Sequence, residues 1–180
     1  NDSMQLMTKF PVVKMEDLKG RKLGASGSFG QWLRGTGSTT VSSAMSSSYT
    51  NIKNGVYEGY PIGYILGFIY KTYSVAPYVT EVDFGATTSS AITFNLSTWK
   101  SLPSYMQNII REESAKWPGY QNMIDNKKRA KFKAIMKKKG AKYSVLSAAE
   151  RAKWAAAMPN IAKEWAGRLE KKGLPGNKLL

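Results

Sequence analysis

The sequence contains neither cysteine nor histidine. Without cysteine, the chain can form no disulfide and offers no thiolate as a nucleophile or metal ligand. Without histidine, Ser-His-Asp and Cys-His catalysis are excluded, as are zinc sites built on imidazole. No apolar run reaches the roughly 18 residues that a membrane-spanning helix needs. These absences favour a binding protein that needs no cofactor and no metal.

Acidic residues are few, since 12 Asp and Glu stand against 27 Lys and Arg, which gives a net charge of +15. Residues 127–139 hold eight basic residues and no acidic one. Such a run is found on nucleic-acid and anionic-membrane surfaces. We favour a solvated helix face, because Phe132, Ile135 and Met136 have helical spacing and no nucleic-acid motif is recognisable. No nucleic-acid partner is therefore expected.

No group of residues has the arrangement of a catalytic site. Glu112 and Glu113 are adjacent, so they point to different sides of a helix. Gly24, Gly27 and Gly30 follow a predicted strand, but they lack the GxGxxG spacing of a dinucleotide site. No acidic residue follows about 20 positions further on, as such a site requires. The sequence therefore predicts no enzyme.

Short apolar segments alternate with helical ones, which predicts parallel βαβ units and an α/β fold. Strands are predicted at 21–25, 39–43, 56–59 and 142–146, with another near 4–7 and two within a β-rich segment at 80–95. Helices are predicted at 29–34, 47–54, 62–70, 104–117 and 121–139, and from 147 onwards. Pro118 is expected to break the long helical segment, and Pro159 to kink the last helix.

Ser28, Ser104 and Ser147 each stand three residues before a Gln or Glu, which is the spacing of a capping box at a helix start. The first of these helix starts directly follows a predicted strand. Helix N–H groups hold anions and polar ligand groups, and open α/β sheets place ligand sites at the carboxyl ends of their strands. We therefore predict a ligand site here, with hydroxyl donors from Ser26 and Ser28.

Aromatic residues are expected to complete this site as an apolar wall, as in most small-molecule sites. The same residues could instead belong to the core, and the two interpretations have about equal weight because aromatic side chains dominate cores. The candidates for the wall are Phe29, Trp32, Tyr57, Tyr60 and Phe84.

Five segments of the chain resemble, in the same order, segments of the solute-binding proteins of TRAP (tripartite ATP-independent periplasmic) transporters. They are DLKGRKLGASG at 17–27, LRGTGSTTV at 33–41, YTNIKNGVYEG at 49–59, WKSLPSYMQNIIRE at 99–112 and LSAAERAKW at 146–154. The first resembles the family's DLKGLKIR, and the third its LYEALQTGVVDG. One departure concerns the site, because Gly24 stands where the family has the Arg that clamps the ligand.

The resemblance implies an α/β chain that forms one lobe of a periplasmic-binding-protein-like two-lobe clamp with long C-terminal helices. On this basis, residues 1–95 are expected to form the second ligand-binding lobe, 96–139 lobe-spanning helices, and 140–180 a returning strand and the C-terminal helix. The family's N-terminal lobe is absent from this sequence. A basic nucleic-acid-binding α/β module is the alternative.

The resemblance further implies a periplasmic protein that captures a small organic solute and delivers it to the membrane permease subunits of a TRAP transporter. The solute is expected to be an organic acid, or an aromatic or neutral solute. Because Gly24 replaces the clamping Arg, we expect the solute to depend on hydroxyl and backbone donors. Without the first lobe, residues 86–94 would lose sheet neighbours, so self-association of this chain is also expected.

Overall fold

The computed structural model describes residues 3–83, 85 and 91–180. Its six strands in that part of the chain are β1 (Met4–Thr8), β2 (Lys22–Ala25), β3 (Thr39–Ser42), β4 (Gly59–Gly63), β5 (Tyr78–Glu81) and β6 (Lys142–Val145). The α-helices are α1 (Phe29–Trp32), α2 (Ser48–Lys53), α3 (Tyr64–Ile69), α4 (Thr72–Val75), α5 (Leu96–Ser101), α6 (Ser104–Lys138), α7 (Ala148–Ala157) and α8 (Ile161–Glu170). Three 3-10 turns lie at Met15–Leu18, Met45–Ser47 and Gly176–Leu179.

The strands form a mixed four-stranded sheet, in the order β4-β1-β5-β6, and a separate parallel pair, β2-β3. In the larger sheet, β1 is antiparallel to both β4 and β5, while β5 and β6 are parallel. The pair lies beside β4, since the Glu58 amide donates to the Lys22 carbonyl at 2.7 Å. The predicted α/β class is confirmed, with the parallel arrangement holding for β2-β3 and β5-β6.

Helices cover both faces of the larger sheet. Successive residues of a strand point to opposite faces, so Leu6 of β1 packs in one core cluster and Met7 in the other. The first cluster contains Trp154 of α7, and the second contains Met136 of α6. A strand that is buried on both faces, as β1 is along its whole length, is typical of a layered α/β lobe.

The predicted strand at 56–59 and the predicted helix at 62–70 are both placed too early. Strand β4 occupies Gly59–Gly63, and helix α3 begins only at Tyr64. The apolar run that starts at residue 60 fits either a short strand or a buried helix when judged by hydrophobicity alone. Pairing with all five residues of β1 holds it extended.

The expected break at Pro118 is wrong. Helix α6 runs through this proline without a break. Its full length is 35 residues, which corresponds to about 50 Å at 1.5 Å per residue. A helical proline removes one hydrogen bond and causes a local clash, but the turns on both sides remain bonded. Several apolar side chains in the first half of α6 are exposed, among them Ile109, Trp117 and Tyr120.

Of the three predicted capping boxes, only the serine half of one forms, because the Glu150 carboxylate accepts hydrogen bonds from the Met15 amide and from Lys153 Nζ. The Ser147 hydroxyl accepts a hydrogen bond from the Glu150 amide at 3.1 Å, as predicted. Ser28 has helical backbone angles and makes no capping bond, whereas a cap requires an extended backbone. Pro103 rather than Ser104 precedes α6, and the Gln107 side chain donates to carbonyl groups of the preceding turn.

Within the described part of residues 80–95, the β-rich interpretation holds at the start, where β5 ends at Glu81. Residues 91–95 form no strand. Phe84 and residues 86–90 lie outside the described part of the chain, so the predicted self-association through 86–94 stays a prediction.

A charged pair joins α6 to the end of β5. Lys133 Nζ and the Tyr64 hydroxyl both donate to Glu81 Oε1, the latter at 2.7 Å. Lys133 Nζ also lies 5.6 and 5.4 Å from the ring centroids of Tyr64 and Tyr143. Burial raises the pKa of the Glu81 carboxyl, but the hydrogen bonds from Lys133 and Tyr64 and the charge of Lys133 outweigh this, so the net pKa lies below 4.5. Ionised Glu81 therefore stabilises the contact between α6 and the sheet.

This pair predicts an acid-sensitive contribution to stability. Because the folded-state pKa of Glu81 is below its unfolded value, its contribution is complete above about pH 4.5 and is lost as the pH falls through the folded pKa. We expect Glu81→Gln to lower the urea midpoint at pH 7 and to flatten its decline below pH 5. Glu113→Gln, which removes an exposed pair with Lys116, is the control. Parallel pH profiles for the parent chain and Glu81→Gln would contradict the assignment.

Candidate functional site

Polar but uncharged side chains meet at the carboxyl ends of β2 and β3. Because the two strands are parallel and Ala25 pairs with Ser42, the residues that follow, Ser26 and Ser43, leave the same edge. Helix α2 and the segment leading into β4 bring further polar groups to this edge. We call Ser26, Ser43, Asn51, Tyr57 and Tyr60 the hydroxyl cluster.

Hydrogen bonds link the members of the hydroxyl cluster. Ser43 Oγ lies 3.0 Å from the Tyr57 hydroxyl, and Asn51 Nδ2 donates to Ser43 Oγ at 3.0 Å. The Tyr60 hydroxyl donates to the Ser43 carbonyl at 2.6 Å. Burial raises the pKa of Tyr60, and a hydrogen bond with the Ser26 side chain offsets part of this rise. The phenol therefore stays protonated near neutral pH, and the cluster has fixed polar groups without charge.

The glycine in β2 is explained by the ring of Tyr57. A Cβ atom added at Gly24 would lie 2.4 Å from Tyr57 Cζ and 2.6 Å from Cε1 and Cε2. No real Cβ atom tolerates such distances, and Tyr57 is completely buried, so a side chain at position 24 would force the ring to move. The aromatic ring therefore fills the volume that any side chain at position 24 would need. Gly24 and Tyr57 form one packing unit.

The segment that builds this edge is almost free of charge. Between Lys22 and Lys53, Arg34 is the only charged residue in the sequence. Its guanidinium forms a bidentate ion pair with Glu164 of α8, with distances of 2.6 and 2.9 Å. The segment that builds the edge therefore offers hydroxyl and amide groups, and its single cation is engaged in joining two helices.

The structure brings only part of the predicted site together. Gly24, Ser26, Tyr57 and Tyr60 meet at the hydroxyl cluster, whereas Ser28 is exposed and faces α8.

The other predicted aromatic residues lie elsewhere. Phe29 and Trp32 are buried in the core and pack edge to face, with ring centroids 5.5 Å apart. Phe84 lies outside the described residues. The single-turn helix α1 gives the predicted N-terminal site little length.

Sequence reasoning missed Ser43 and Asn51. Ser43 could have been found, because it follows the second predicted strand just as Ser26 follows the first. Asn51 had no such signal, since a polar residue in a short helix is ordinary. Among the described residues, no group of three or more acidic side chains is placed to hold a metal ion. No helix in that part of the chain is long and apolar enough to cross a membrane.

The fold is an α/β lobe with a polar, uncharged edge at the carboxyl ends of a parallel strand pair. The sequence model of one family, DctP (bacterial extracellular solute-binding protein, family 7), matches residues 1–168. The chain therefore belongs to this family of solute-binding proteins, and the resemblance to TRAP transporter components is confirmed. No curated protein matches the chain.

Solved TRAP periplasmic solute-binding proteins share the fold. One from Desulfovibrio salexigens, with bound orotic acid, has a TM-score of 0.83 at 22% identity, over 99% of this chain and 58% of that chain. One from Rhodoferax ferrireducens, with bound malonate, has a TM-score of 0.78 at 20% identity, over 92% and 54%. One from Sulfitobacter sp. NAS-14.1, with bound β-D-galacturonate, has a TM-score of 0.77 at 16% identity, over 94% and 56%. The chain thus spans little more than half the length of these proteins.

Proposed function

We propose that this chain provides one wall of the solute site in a periplasmic TRAP solute-binding protein. The protein would capture a small organic solute and deliver it to membrane permease subunits. The observation that carries the proposal is the family match over residues 1–168, within which the hydroxyl cluster occupies the carboxyl edge of a parallel strand pair. The proposed role is binding, with no catalytic step.

We propose the domain organisation that the resemblance implied. Residues 1–95 form the second ligand-binding lobe, and 96–139 form helices that span towards a lobe outside this chain. Residues 140–180 form a returning strand and the C-terminal helix. Exposed apolar side chains in the first half of α6, such as Ile109 and Trp117, support this division. Apolar surface of this kind is typically covered by another domain or chain.

The uncharged edge supports a solute whose part facing this lobe is neutral. Removing a carboxylate from water without a cationic partner costs several kcal/mol, whereas hydroxyl groups of a solute can exchange hydrogen bonds with the partly exposed Ser26 and Ser43. The buried Tyr60 hydroxyl holds the Ser43 carbonyl in place behind them. A polyhydroxylated or aromatic neutral portion fits such a wall better than either end of a C4-dicarboxylate. A carboxylate elsewhere in the solute would need its partner on the other lobe.

The test uses the longer protein that carries both lobes, in a thermal-shift screen of galactitol, D-galactonate, succinate and malate. We expect a polyol or sugar acid to stabilise it more than the dicarboxylates, because its hydroxyl groups fit the uncharged wall. A ligand at 100 times its Kd adds about 2.7 kcal/mol, which a thermal shift detects. Tyr60→Phe and Ser43→Ala should reduce this shift. Ser46→Ala, at an exposed position beside the cluster, is the control. A shift largest for succinate and unchanged in both variants would show that the site lies elsewhere.

The nucleic-acid alternative has less support from the basic run in α6. Phe132 stacks on Phe68 with ring centroids 4.3 Å apart, Met136 is completely buried, and Lys133 pairs with Glu81. The inward packing expected for a solvated amphipathic face is therefore confirmed. DNA binding by the chain with a steep salt dependence would revive the alternative.

A further inference from the structure

An open cleft of about 660 Å³ lies between α8 and the segment that follows β2. It is lined on one side by Gly27, Ser28 and Gln31, and on the other by Ile161, Ala162, Trp165 and Arg168. Gly27 directly follows Ser26 of the hydroxyl cluster along the chain. The cleft shares no residue with the hydroxyl cluster. Its volume is in the range of small-molecule sites, and it combines an apolar wall with a few polar groups, as such sites do.

The two sides of the cleft are held together by an ion pair. Arg34 binds both carboxylate oxygens of Glu164 on α8, and it also donates to Gln31 Oε1 at 2.9 Å. This ion pair engages Glu164, one of the two acidic residues of α8. It also fixes the Gln31 amide through its oxygen, so that the Nε2 group keeps its two N–H donors for a ligand.

Trp165 and Arg168 are one helical turn apart, which places them on the same face of α8. The indole of Trp165 is 42% exposed, which is high for so large an apolar side chain. Arg168 is exposed, and its charge helps to lower the pKa of the Glu164 carboxyl one turn earlier, but no ion pair within 4 Å joins Arg168 to a residue in the described part of the chain. A planar cation and an aromatic surface therefore stand side by side in an open cleft.

We propose that this cleft is a binding site for a small aromatic carboxylate. The ring would pack against Trp165 and Ile161, since aromatic pairs gain energy beyond simple burial. The carboxylate would meet the Arg168 guanidinium, whose two parallel donors match its oxygens, while Gln31 donates a further hydrogen bond. The site lies wholly within this chain and is separate from the solute wall of the proposed function.

The test titrates the 180-residue chain with indole-3-acetate and with its neutral analogue indole-3-acetamide, by calorimetry and by following the Trp165 indole N–H resonance. We expect the acid to bind, to shift that resonance, and to bind about tenfold more tightly than the amide, because a charge-assisted hydrogen bond is lost in the amide. Arg168→Gln should weaken binding of the acid to the level of the amide. Lys171→Gln removes the same charge at the end of α8, outside the cleft, and should leave binding unchanged.

Equal affinity for acid and amide, a Trp165 resonance that does not move, or an unaffected Arg168→Gln variant would each overturn the proposal. Because Arg168 is exposed, unfolding curves of its variant and of Lys171→Gln should coincide, which verifies that the site and not the fold is affected. A negative result for indole-3-acetate would not change the result expected in the solute screen of the longer protein. Likewise, loss of solute binding at the hydroxyl cluster would leave binding in this cleft unchanged.

Discussion

Gly24→Arg is expected to lower the free energy of unfolding of this lobe by about 3 kcal/mol or more, because it combines overpacking with burial of a charge. Any Cβ at this position would overlap the buried Tyr57 ring at 2.4 Å, and an arginine adds a long stem and a charge beyond that Cβ. The ring could move only by breaking its hydrogen bonds to Ser43 and Asn51. Urea unfolding of the single variant measures this loss.

Tyr57→Val in the same chain should restore most of the lost stability, because the smaller side chain vacates the volume that an arginine at position 24 would need. Gly119→Arg is the control for adding an arginine, since nothing lies within 4 Å of a Cβ at that helical position. In the longer protein, Gly24→Arg with Tyr57→Val should also increase the thermal shift produced by succinate. If Tyr57→Val restored no stability, position 24 would be limited by something other than this ring.

Sequence patterns predicted the elements whose signals are local. Strands β2, β3 and β6 were found from short apolar runs bounded by glycine or polar residues, and Ser147 caps α7 because its hydroxyl meets the amide three residues on. Strand β4 was misplaced because its extended conformation depends on pairing with β1, more than 50 residues earlier. The continuity of α6 through Pro118 depends on the many hydrogen bonds on either side, which no local rule weighs together.

The sequence predicted residues of the candidate site only where the end of a strand determines the position of the next residue. Ser26 could be placed because it follows β2, and Tyr60 was among the aromatic candidates for the wall. The aromatic residues of α1 gave a false signal, since Phe29 and Trp32 have spacing that serves a core as well as a ligand wall. Asn51 reaches the cluster through the tertiary packing of α2, which the sequence does not reveal.

The cleft beside α8 could not be predicted from the sequence either. Its two sides are separated by about 130 residues, and the pair between Arg34 and Glu164 joins them in the fold. Before the structure, Trp165 and Arg168 were an ordinary aromatic residue and an ordinary basic residue in a C-terminal helix. They become candidate ligand contacts because Ser28 and Gln31 line the opposite side of the cleft.

Trp154→Ala should be the most destabilising single truncation of the C-terminal helices, at about 3 to 5 kcal/mol. The Trp154 side chain is 2% exposed and packs in the same core cluster as Leu23 of β2 and Trp32 of α1. Its Nε1 donates to the Trp32 carbonyl at 2.6 Å, at the end of α1. Truncation therefore leaves both a large cavity and a buried carbonyl without this donor. At about 2 to 4 °C per kcal/mol, the melting temperature should fall by roughly 10 °C.

Two further variants separate the cavity from the hydrogen bond. Trp154→Phe keeps most of the ring volume and loses the donor, so we expect a smaller loss of about 1 to 3 kcal/mol. Trp165→Ala removes the same kind of side chain from an exposed position of α8 and should cost much less stability, since its indole is 42% exposed. Thermal and urea unfolding of the three variants gives the order. If Trp154→Ala and Trp165→Ala lost equal stability, α7 would not be anchored to α1 and β2 through Trp154, and the position of the strand end that carries Ser26 would have to depend on other contacts.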